Sequence, residues 1–318
     1  MDNRTSVVLI AVFGILAISS LCVAGYALFQ LNEMQDSSDT GTDVFDPDAY
    51  YKRVQDYAAQ IREKTDVVPE VAIVLGSGLG SFVEGMDVHT TIPYSSLEGF
   101  PVSTAPGHQG NFVLGTMAGK EIIVMQGRVH YYEGYPSTEV VLPLRVMHEL
   151  GAKTLILTNA VGTINTDYEP GTFMVVEDHI CLAPSPLIGP NIDQLGERFI
   201  PMNGAYDSLL REKLKGIAVE HGITLNKGRF IQTVGPQFET PAEIEAYRIL
   251  GCDTVGMSSA IEAIAAHHCS MKVCDINCIT NYAAGIGGAI PSSEEVQEMS
   301  KKMAKDLIVL LDDLIPMI

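Results

Sequence analysis

The sequence predicts an α/β protein with a largely parallel, two-sided sheet, preceded by one apolar segment near the N-terminus. Continuous apolar runs such as 71–75 and 122–125 are typical of strands that are covered on both faces. Segments with helical periodicity alternate with these runs, which favours a single α/β domain. The chain has 318 residues, of which 47% are hydrophobic, so it is long enough to bury a large core.

Charge and cysteine content exclude several classes of protein. The formal net charge is −19, which argues against nucleic-acid binding because a phosphate backbone requires a basic protein face. The six cysteines contain no CxxC pair, so the sequence predicts neither a zinc site nor a disulfide framework. We therefore expect no nucleic-acid partner and no zinc site, and no residue pattern in the sequence predicts another metal or a cofactor.

The N-terminal segment predicts a transmembrane anchor over residues 1–30. Its uncharged run, Val7–Phe29, would span roughly 34 Å as a helix, enough to cross a bilayer core of about 30 Å. A cleaved signal peptide is the alternative, although its apolar region is usually only about 7–15 residues long. Arg4 precedes the run and no basic residue follows it before Lys52, which favours a cytoplasmic N-terminus and an extracytoplasmic domain. We therefore predict a single-pass membrane protein.

Residues 31–49 predict an acidic, flexible linker, and residues 50–318 a folded domain. The linker is rich in Asp, Ser, Thr and Gly and contains no basic residue, so it is expected to repel itself and stay extended.

The domain shows a regular alternation of predicted elements. Helices are expected at residues 50–64, 137–150, 205–220, 242–250, 260–267 and 294–314. Strands are expected at residues 71–75, 112–115, 120–125, 154–158, 173–176, 228–233, 253–255 and 273–280. Thr240 and Pro241 suit the N-cap and first position of a helix, and Ser185–Phe199 is expected to be a long irregular loop.

Polar side chains collect just beyond the predicted strands. The stretch Gln126–Tyr135 carries a cation, an imidazole and two hydroxyl aromatics, and Gly76–Gly80 is a glycine-rich turn without the lysine of a P-loop. Because parallel strands deliver their carboxyl ends to one crevice, we expect these groups to meet there. The strand-end residues are Ser77, Arg128, His130, Asn159, Glu239, Ser258 and Asn281.

The residue types in this crevice favour phosphate beside a nucleoside. Ser77, Arg128, His130 and Ser258 can bind an anion. A carboxylate accepts N–H donors while an amide both donates and accepts, so Glu239 and Asn281 suit the edge of a 6-oxopurine. Phe238 and Met257 would flank the ligand. An anion beside a sugar and a base implies phosphorolysis of a glycosidic bond.

Seven motifs carry a resemblance to a known family. They are GSGLG at 76–80, STAPGH at 103–108, QGRVHYYEGYP at 126–136, TNAVG at 158–162, GPQFET at 235–240, VGMS at 255–258 and ITN at 279–281. With this spacing, the chain resembles the trimeric purine nucleoside phosphorylases from about Tyr50 to its C-terminus. The resemblance implies a nucleoside phosphorylase fold, with a mixed central sheet and distorted barrel flanked by helices, and a homotrimer.

The resemblance also implies an activity and a set of site residues. The expected reaction, part of purine salvage, converts inosine or guanosine, or their deoxy forms, into the base and a pentose 1-phosphate, with inorganic phosphate as co-substrate. Catalytic roles would fall to His130, Glu239 and Asn281. The implied phosphate ligands are Ser77, His108, Arg128, His130, the Ala160 backbone N–H and Ser258. The implied nucleoside contacts are Tyr132, Phe238, Glu239, Met257, Asn281 and Ser293.

Two departures from the family pattern leave alternatives open. Ser293 stands where the family usually has a histidine that contacts the ribose 5′-hydroxyl, and residues 180–186 lack the usual asparagines. A 5′-methylthioadenosine phosphorylase is one alternative, and a membrane-tethered nucleoside-binding protein without catalysis is another. We further expect Glu133 to orient a neighbouring histidine, His130 or His108, by a hydrogen bond.

Overall fold

A nine-stranded mixed sheet forms the centre of the computed structural model, which describes residues 45–318. The strands are β1 (Val71–Val74), β2 (Asp87–Pro93), β3 (Asn111–Met117), β4 (Lys120–Gln126), β5 (Thr154–Thr163), β6 (Phe173–Cys181), β7 (Leu225–Gln232), β8 (Thr254–Gly256) and β9 (Lys272–Tyr282). Their order is β2-β3-β4-β1-β5-β8-β7-β6-β9, and β5 also pairs with β9.

The pairing divides the sheet into an open part and a closed ring. In the open part, β1 runs parallel to β4 and β5, and β3 and β4 form an antiparallel pair around the turn at Ala118 and Gly119. Because β5 contacts both β8 and β9, the strands β5, β8, β7, β6 and β9 pair in a closed circuit. The mixed sheet with a barrel, expected from the family resemblance, is confirmed.

Seven α-helices flank the sheet in the described part of the chain. They are α1 (Pro47–Arg62), α2 (Ser137–Val140), α3 (Leu142–Leu150), α4 (Ser208–His221), α5 (Pro241–Ile249), α6 (Ala260–His268) and α7 (Ser293–Leu314). Thr240 caps α5 as predicted, since its hydroxyl accepts a hydrogen bond from the Glu243 N–H. The apolar face of α7 covers the core beside the strands through Met303, Leu307, Leu310, Leu311 and Leu314.

Several element boundaries differ from the predictions. Strand β5 continues to Thr163 because its second half pairs with β8 and β9. The segment 137–150 forms two helices rather than one, which meet at Val141 just before Pro143. Helix α1 begins at Pro47, inside the range assigned to the linker.

The predicted single-pass membrane localisation is corrected. Among residues 45–318, no helix is long and apolar enough to cross a membrane. The apolar run 7–29, on which the anchor and the extracytoplasmic placement of the domain depended, lies outside the described residues, as does most of the predicted linker. The membrane localisation is withdrawn on this finding.

Candidate active site

One cavity of about 420 Å³ lies where the loops after β1, β4 and β7 meet the ends of β5, β8 and β9. That volume falls in the range typical of small-molecule sites, about 300–1,000 Å³. The cavity brings together ten of the twelve predicted site residues. These are Ser77, His130, Tyr132, Ala160, Phe238, Glu239, Met257, Ser258, Asn281 and Ser293.

Close backbone approach places Ser77 beside β5. A Cβ atom at Gly76 would lie 3.1 Å from the Thr158 carbonyl oxygen and 3.2 Å from the Ala160 nitrogen. Only glycine therefore lets the turn after β1 lie against this strand without displacing it. The Gly76 N–H also donates to the Thr158 hydroxyl at 3.0 Å, which fixes the start of the turn.

Arg128 does not line the cavity, although its charge predicted a direct phosphate contact. Its side chain is only 1% exposed, and Nη1 donates to Glu262 Oε2 at 2.9 Å. Nη2 donates to the carbonyl oxygens of Thr158, in the middle of β5, and Val74, at the end of β1. The guanidinium therefore lies beneath the cavity floor, where its charge is largely matched by Glu262.

His108 also lies behind the cavity, where it contacts Ser77 and the backbone of Arg128. Its Nδ1 accepts a hydrogen bond from the Arg128 backbone N–H at 2.9 Å, so Nε2 carries the proton and can donate to Ser77 Oγ at 3.0 Å. Burial lowers the pKa of His108 to about 3, which keeps the ring neutral in this role.

His130 lines the cavity and is held by Glu133. Its Nδ1 lies 2.9 Å from Glu133 Oε1, as expected, and its ring stacks on Tyr132 with centroids 4.7 Å apart. Because the carboxylate accepts the Nδ1 proton, Nε2 is the ring nitrogen that remains for a ligand. Burial lowers the pKa of His130, so the ring is neutral at physiological pH.

Glu133 also ties a second loop to His130. Its carboxylate accepts hydrogen bonds from the Thr104 backbone N–H and hydroxyl and from the Ser103 hydroxyl. Burial acts to raise the pKa of Glu133, but the hydrogen bonds from His130 and Thr104 outweigh it and lower the pKa to about 2. Glu133 is therefore ionised throughout the physiological range and joins two walls of the cavity.

We expect Glu133→Gln to lower kcat/KM by about 10- to 100-fold, because a hydrogen bond to a charged group contributes about 1.5–3 kcal/mol. The measurement is the initial rate of the expected reaction, phosphorolysis of inosine, at saturating phosphate and at inosine concentrations below KM. Glu139→Gln is the matched control, since Glu139 pairs with Arg53 and does not line the cavity. Equal rates for the two variants would contradict the orienting role of Glu133.

The two residues predicted to bind the purine base, Glu239 and Asn281, line the opposite end of the cavity. Thr233 Oγ1 donates to Glu239 Oε1 at 2.9 Å, and the Asn281 Oδ1 accepts from the Thr280 hydroxyl at 2.8 Å. Burial raises the pKa of Glu239, with the Thr233 hydrogen bond acting against it. Both polar groups therefore have fixed orientations, and Phe238, 39% exposed, lies at the same end.

The structure adds residues that were not among the predicted ligands. Asn159 lines the cavity, accepts a hydrogen bond from Ser258 Oγ at 3.0 Å and donates to the Ser258 carbonyl oxygen at 3.2 Å. Thr104 and Gln297 also line the cavity, from the 103–108 loop and from α7. Asn159 had been noted at a strand end, and Thr104 belongs to a motif, but nothing local marked Gln297 as a site residue.

The predicted absence of a metal or cofactor stays a prediction. Within residues 45–318, no group of three or more His, Cys, Asp or Glu side chains is arranged to hold a metal ion. The described cysteines are free thiols, and four of these five are buried.

Fold and cavity together fit an α/β enzyme with one small-molecule cavity, which has hydroxyl and imidazole groups at one end and a carboxylate and an amide at the other. The sequence matches the phosphorylase superfamily over residues 70–316. It is 43% identical to purine nucleoside phosphorylase 1 of Geobacillus stearothermophilus over 256 residues, 80% of this chain and 93% of that protein. Identity to the Bos taurus purine nucleoside phosphorylase is 40% over 267 residues, 81% of this chain and 92% of that protein.

A solved structure agrees with these relatives. The Schistosoma mansoni purine nucleoside phosphorylase in complex with inosine superposes with a TM-score of 0.79 at 35% identity, covering 84% of this chain and 96% of that chain. The chain therefore belongs to the phosphorylase superfamily and, within it, to the purine nucleoside phosphorylases, which are pentosyltransferases. The resemblance inferred from the seven motifs is confirmed.

Proposed function

We propose that the cavity binds phosphate at the end formed by Ser77, His130 and Ser258, and a 6-oxopurine nucleoside at the end formed by Glu239 and Asn281. The activity of the chain is phosphorolysis of purine nucleosides such as inosine and guanosine, which yields the free base and a pentose 1-phosphate. The observation that carries the assignment of the two ends is the placement of ten predicted ligands around one cavity.

The phosphate end offers several donors and little free charge. Ser77 and Ser258 supply hydroxyl groups, the Ala160 N–H is the predicted backbone donor, and neutral His130 can accept the proton of a monohydrogen phosphate at Nε2. Arg128 and His108 act from behind this layer, Arg128 through the Thr158 carbonyl and His108 through Ser77. Phosphate would thus be positioned mainly by oriented neutral groups. The buried ion pair between Arg128 and Glu262 lies beneath these groups.

The nucleoside end positions the base as the leaving group. Glu239 accepts hydrogen bonds from the N1 and N2 side of the base, while Asn281 bonds the N7 and O6 side. Tyr132 and Met257 face the pentose and Phe238 packs on the base. Ser293 faces the 5′-hydroxyl, with its own Oγ accepting from Gln297 Nε2 at 3.4 Å.

The reaction exchanges one bond to C1′ for another. A phosphate oxygen approaches C1′ on the face opposite the base, and the bond from C1′ to N9 breaks with its electron pair moving into the purine. The sugar passes through an oxocarbenium-like transition state. Asn281 stabilises the negative charge that develops on the base, and the fixed phosphate ligands align the nucleophile, so the catalysis is by positioning and preorganised electrostatics.

The assay that tests this function follows release of hypoxanthine from inosine with and without phosphate. We expect release only when phosphate is present, with guanosine a substrate and adenosine a poor one, because Asn281 and Glu239 match a 6-oxopurine. Absence of phosphate-dependent release from both inosine and guanosine would overturn the assignment. Faster release from 5′-methylthioadenosine than from inosine would instead favour the methylthioadenosine alternative, since Ser293 is a smaller 5′ contact than histidine.

We also propose that the chain forms a homotrimer, as the family resemblance implies. Large apolar side chains lie exposed in the irregular segment after β6: Phe199 is 84% exposed, Ile188 57% and Leu182 43%. Light scattering after size exclusion should give three times the mass of one chain. We expect Phe199→Ser to shift the distribution toward monomers while Val219→Ser, a change on α4 at a residue that is 76% exposed, leaves it unchanged. A wild-type mass of one chain would contradict the trimer.

A further inference from the structure

A buried carboxylate with no predicted role, Asp275, lies behind the phosphate end of the cavity. On β9 the side chains of Cys274, Ile276 and Cys278 join the apolar core, so Asp275 and Asn277 point to the opposite face. Asp275 is completely buried. One of its oxygens, Oδ2, accepts from the Ser259 hydroxyl at 2.7 Å, and the other, Oδ1, has no partner. Such a site favours a neutral carboxyl over a carboxylate.

The partner of Asp275, Ser259, has a backbone conformation that needs support. Its φ is 79°, in the left-handed region that non-glycine residues rarely adopt. The Ser259 N–H donates to Glu262 Oε2 at 3.0 Å, and its hydroxyl donates to Asp275. Asn159 Nδ2 approaches the same hydroxyl oxygen at 3.4 Å. Asp275 therefore accepts one of the hydrogen bonds that hold the turn between β8 and α6.

This turn carries a predicted phosphate ligand. Ser258 precedes Ser259 and lines the cavity, and both serines share Asn159 as a hydrogen-bond partner. A contiguous set of hydrogen bonds thus runs from Asp275 through Ser259 and Asn159 to the hydroxyl of Ser258. A change at Asp275 reaches the cavity without any contact between Asp275 and a ligand.

The charged groups around Asp275 do not neutralise it when it ionises. Arg128 is the nearby cation, but its Nη1 is already paired with Glu262. The remaining titratable neighbours that interact with Asp275 are weak acids: Tyr206, on the segment before α4, and Cys274 and Cys278, on β9 itself. An ionised Asp275 would therefore place a second buried carboxylate beside a single guanidinium.

We propose that Asp275 is a positioning residue for the phosphate end of the site, whose neutral form supports the Ser258–Ser259 turn and whose ionised form weakens anion binding. The proposal rests on the proposed function only in taking Ser258 as a phosphate ligand. Burial raises the pKa of Asp275 to about 7, against the opposing effects of Ser259 and Arg128. The carboxyl group is thus neutral below that pH, and the protein loses anion affinity as the pH rises through it.

The test uses sulfate as the probe, because sulfate does not titrate between pH 6 and 8.5 whereas phosphate does. The affinity of the 318-residue chain for sulfate is measured by calorimetry, and the inhibition constant of sulfate against phosphate by the inosine assay. From pH 6 to 8.5 the wild-type affinity should fall roughly tenfold more than that of Asp275→Asn, which stays neutral throughout. The effect should appear in KM for phosphate, with kcat at saturating phosphate unchanged.

Two further variants separate positioning from loss of structure. Asn277→Ala alters an equally buried polar residue on the same face of β9, bonded to Thr254 rather than to the turn, and should keep the wild-type pH profile. Ser259→Ala keeps Asp275 but removes the linking hydroxyl, and should weaken sulfate binding already at pH 6. Ser259→Ala also tests the proposal if Asp275→Asn does not fold.

The outcomes distinguish this proposal from the proposed function. Parallel pH profiles for wild type and Asp275→Asn, or wild-type affinity at pH 6 in Ser259→Ala, would overturn the role of Asp275 even if inosine is phosphorolysed. A wild-type protein that shows the pH-dependent sulfate affinity, without turnover of any nucleoside, would overturn the function and support Asp275. A protein that binds neither sulfate nor phosphate would overturn both.

Discussion

Replacing Asn281 with alanine is expected to lower kcat for inosine by about 10²- to 10³-fold, the loss typical of removing one preorganised donor from a transition state. The Thr280 hydroxyl donates to Asn281 Oδ1 and Nδ2 donates to the Tyr282 carbonyl oxygen, so the amide is oriented before the substrate binds. Because charge develops on the base only as the glycosidic bond breaks, KM for inosine should change less than kcat. Steady-state kinetics at saturating phosphate measure both constants.

The control for this variant is Asn226→Ala. Asn226 is a partly buried asparagine at the start of β7 whose amide donates to Thr172 and Phe173, and it does not line the cavity. The Asn226→Ala variant measures how far kcat falls when a side-chain amide is removed from the sheet away from the cavity. If kcat of Asn281→Ala stays within threefold of this control, Asn281 does not stabilise the leaving base.

Replacing Glu239 with alanine is expected to lower kcat/KM for guanosine by about 10²- to 10⁴-fold. The carboxylate can accept two N–H donors from the base, and each hydrogen bond to a charged group contributes about 1.5–3 kcal/mol. Inosine lacks the 2-amino group, so the fall in kcat/KM caused by the substitution should be smaller for inosine than for guanosine. Rates for both nucleosides with the same variant give this difference directly.

The pH dependence of Glu239 provides a second measurement. Burial raises its pKa above the ordinary value of 4.5, so the accepting carboxylate is lost at a higher pH than for an exposed glutamate. The wild-type kcat/KM should therefore fall on the acidic side, and Glu239→Gln should be low but flat there. Glu245→Gln, which alters an exposed pair with Arg248, should keep the wild-type profile. An acidic limb that persists in Glu239→Gln would assign it to another group.

Local sequence patterns predicted most of the elements, and the misses share a physical cause. Strand β2 was missed because it is largely exposed and has no apolar run, while its partner residues on β3 lie 18 to 29 positions further along the chain. The prediction ended β5 at Thr158, whereas the strand continues to Thr163 because Gly162 pairs with Val255 on β8 and with Asn281 on β9. Long-range pairing, which neighbouring residues do not encode, decided both segments.

The site residues also differ in whether local sequence or distant partners determine their roles. Motif spacing predicted most of the residues that gather at the cavity, because most of them lie at or beyond the end of a predicted strand. It could not predict that Arg128 turns beneath the cavity, since its partner Glu262 lies 134 residues away. Nor did it mark Asp275, whose position on β9 reads locally as one polar residue in an apolar strand. Burial and partners across the fold determine how such charged groups act.

The closed pairing of β5 with β9 also bears on the behaviour of the protein in concentrated solution. A sheet that closes on itself hides backbone groups that could otherwise pair with another chain. Within residues 45–318, the strand order leaves β2 as the free edge of the sheet. That edge ends at Pro93, is irregular between Val88 and Thr90, and starts with the charged Asp87. All three features discourage edge-to-edge association, so the fold protects itself from strand-mediated aggregation.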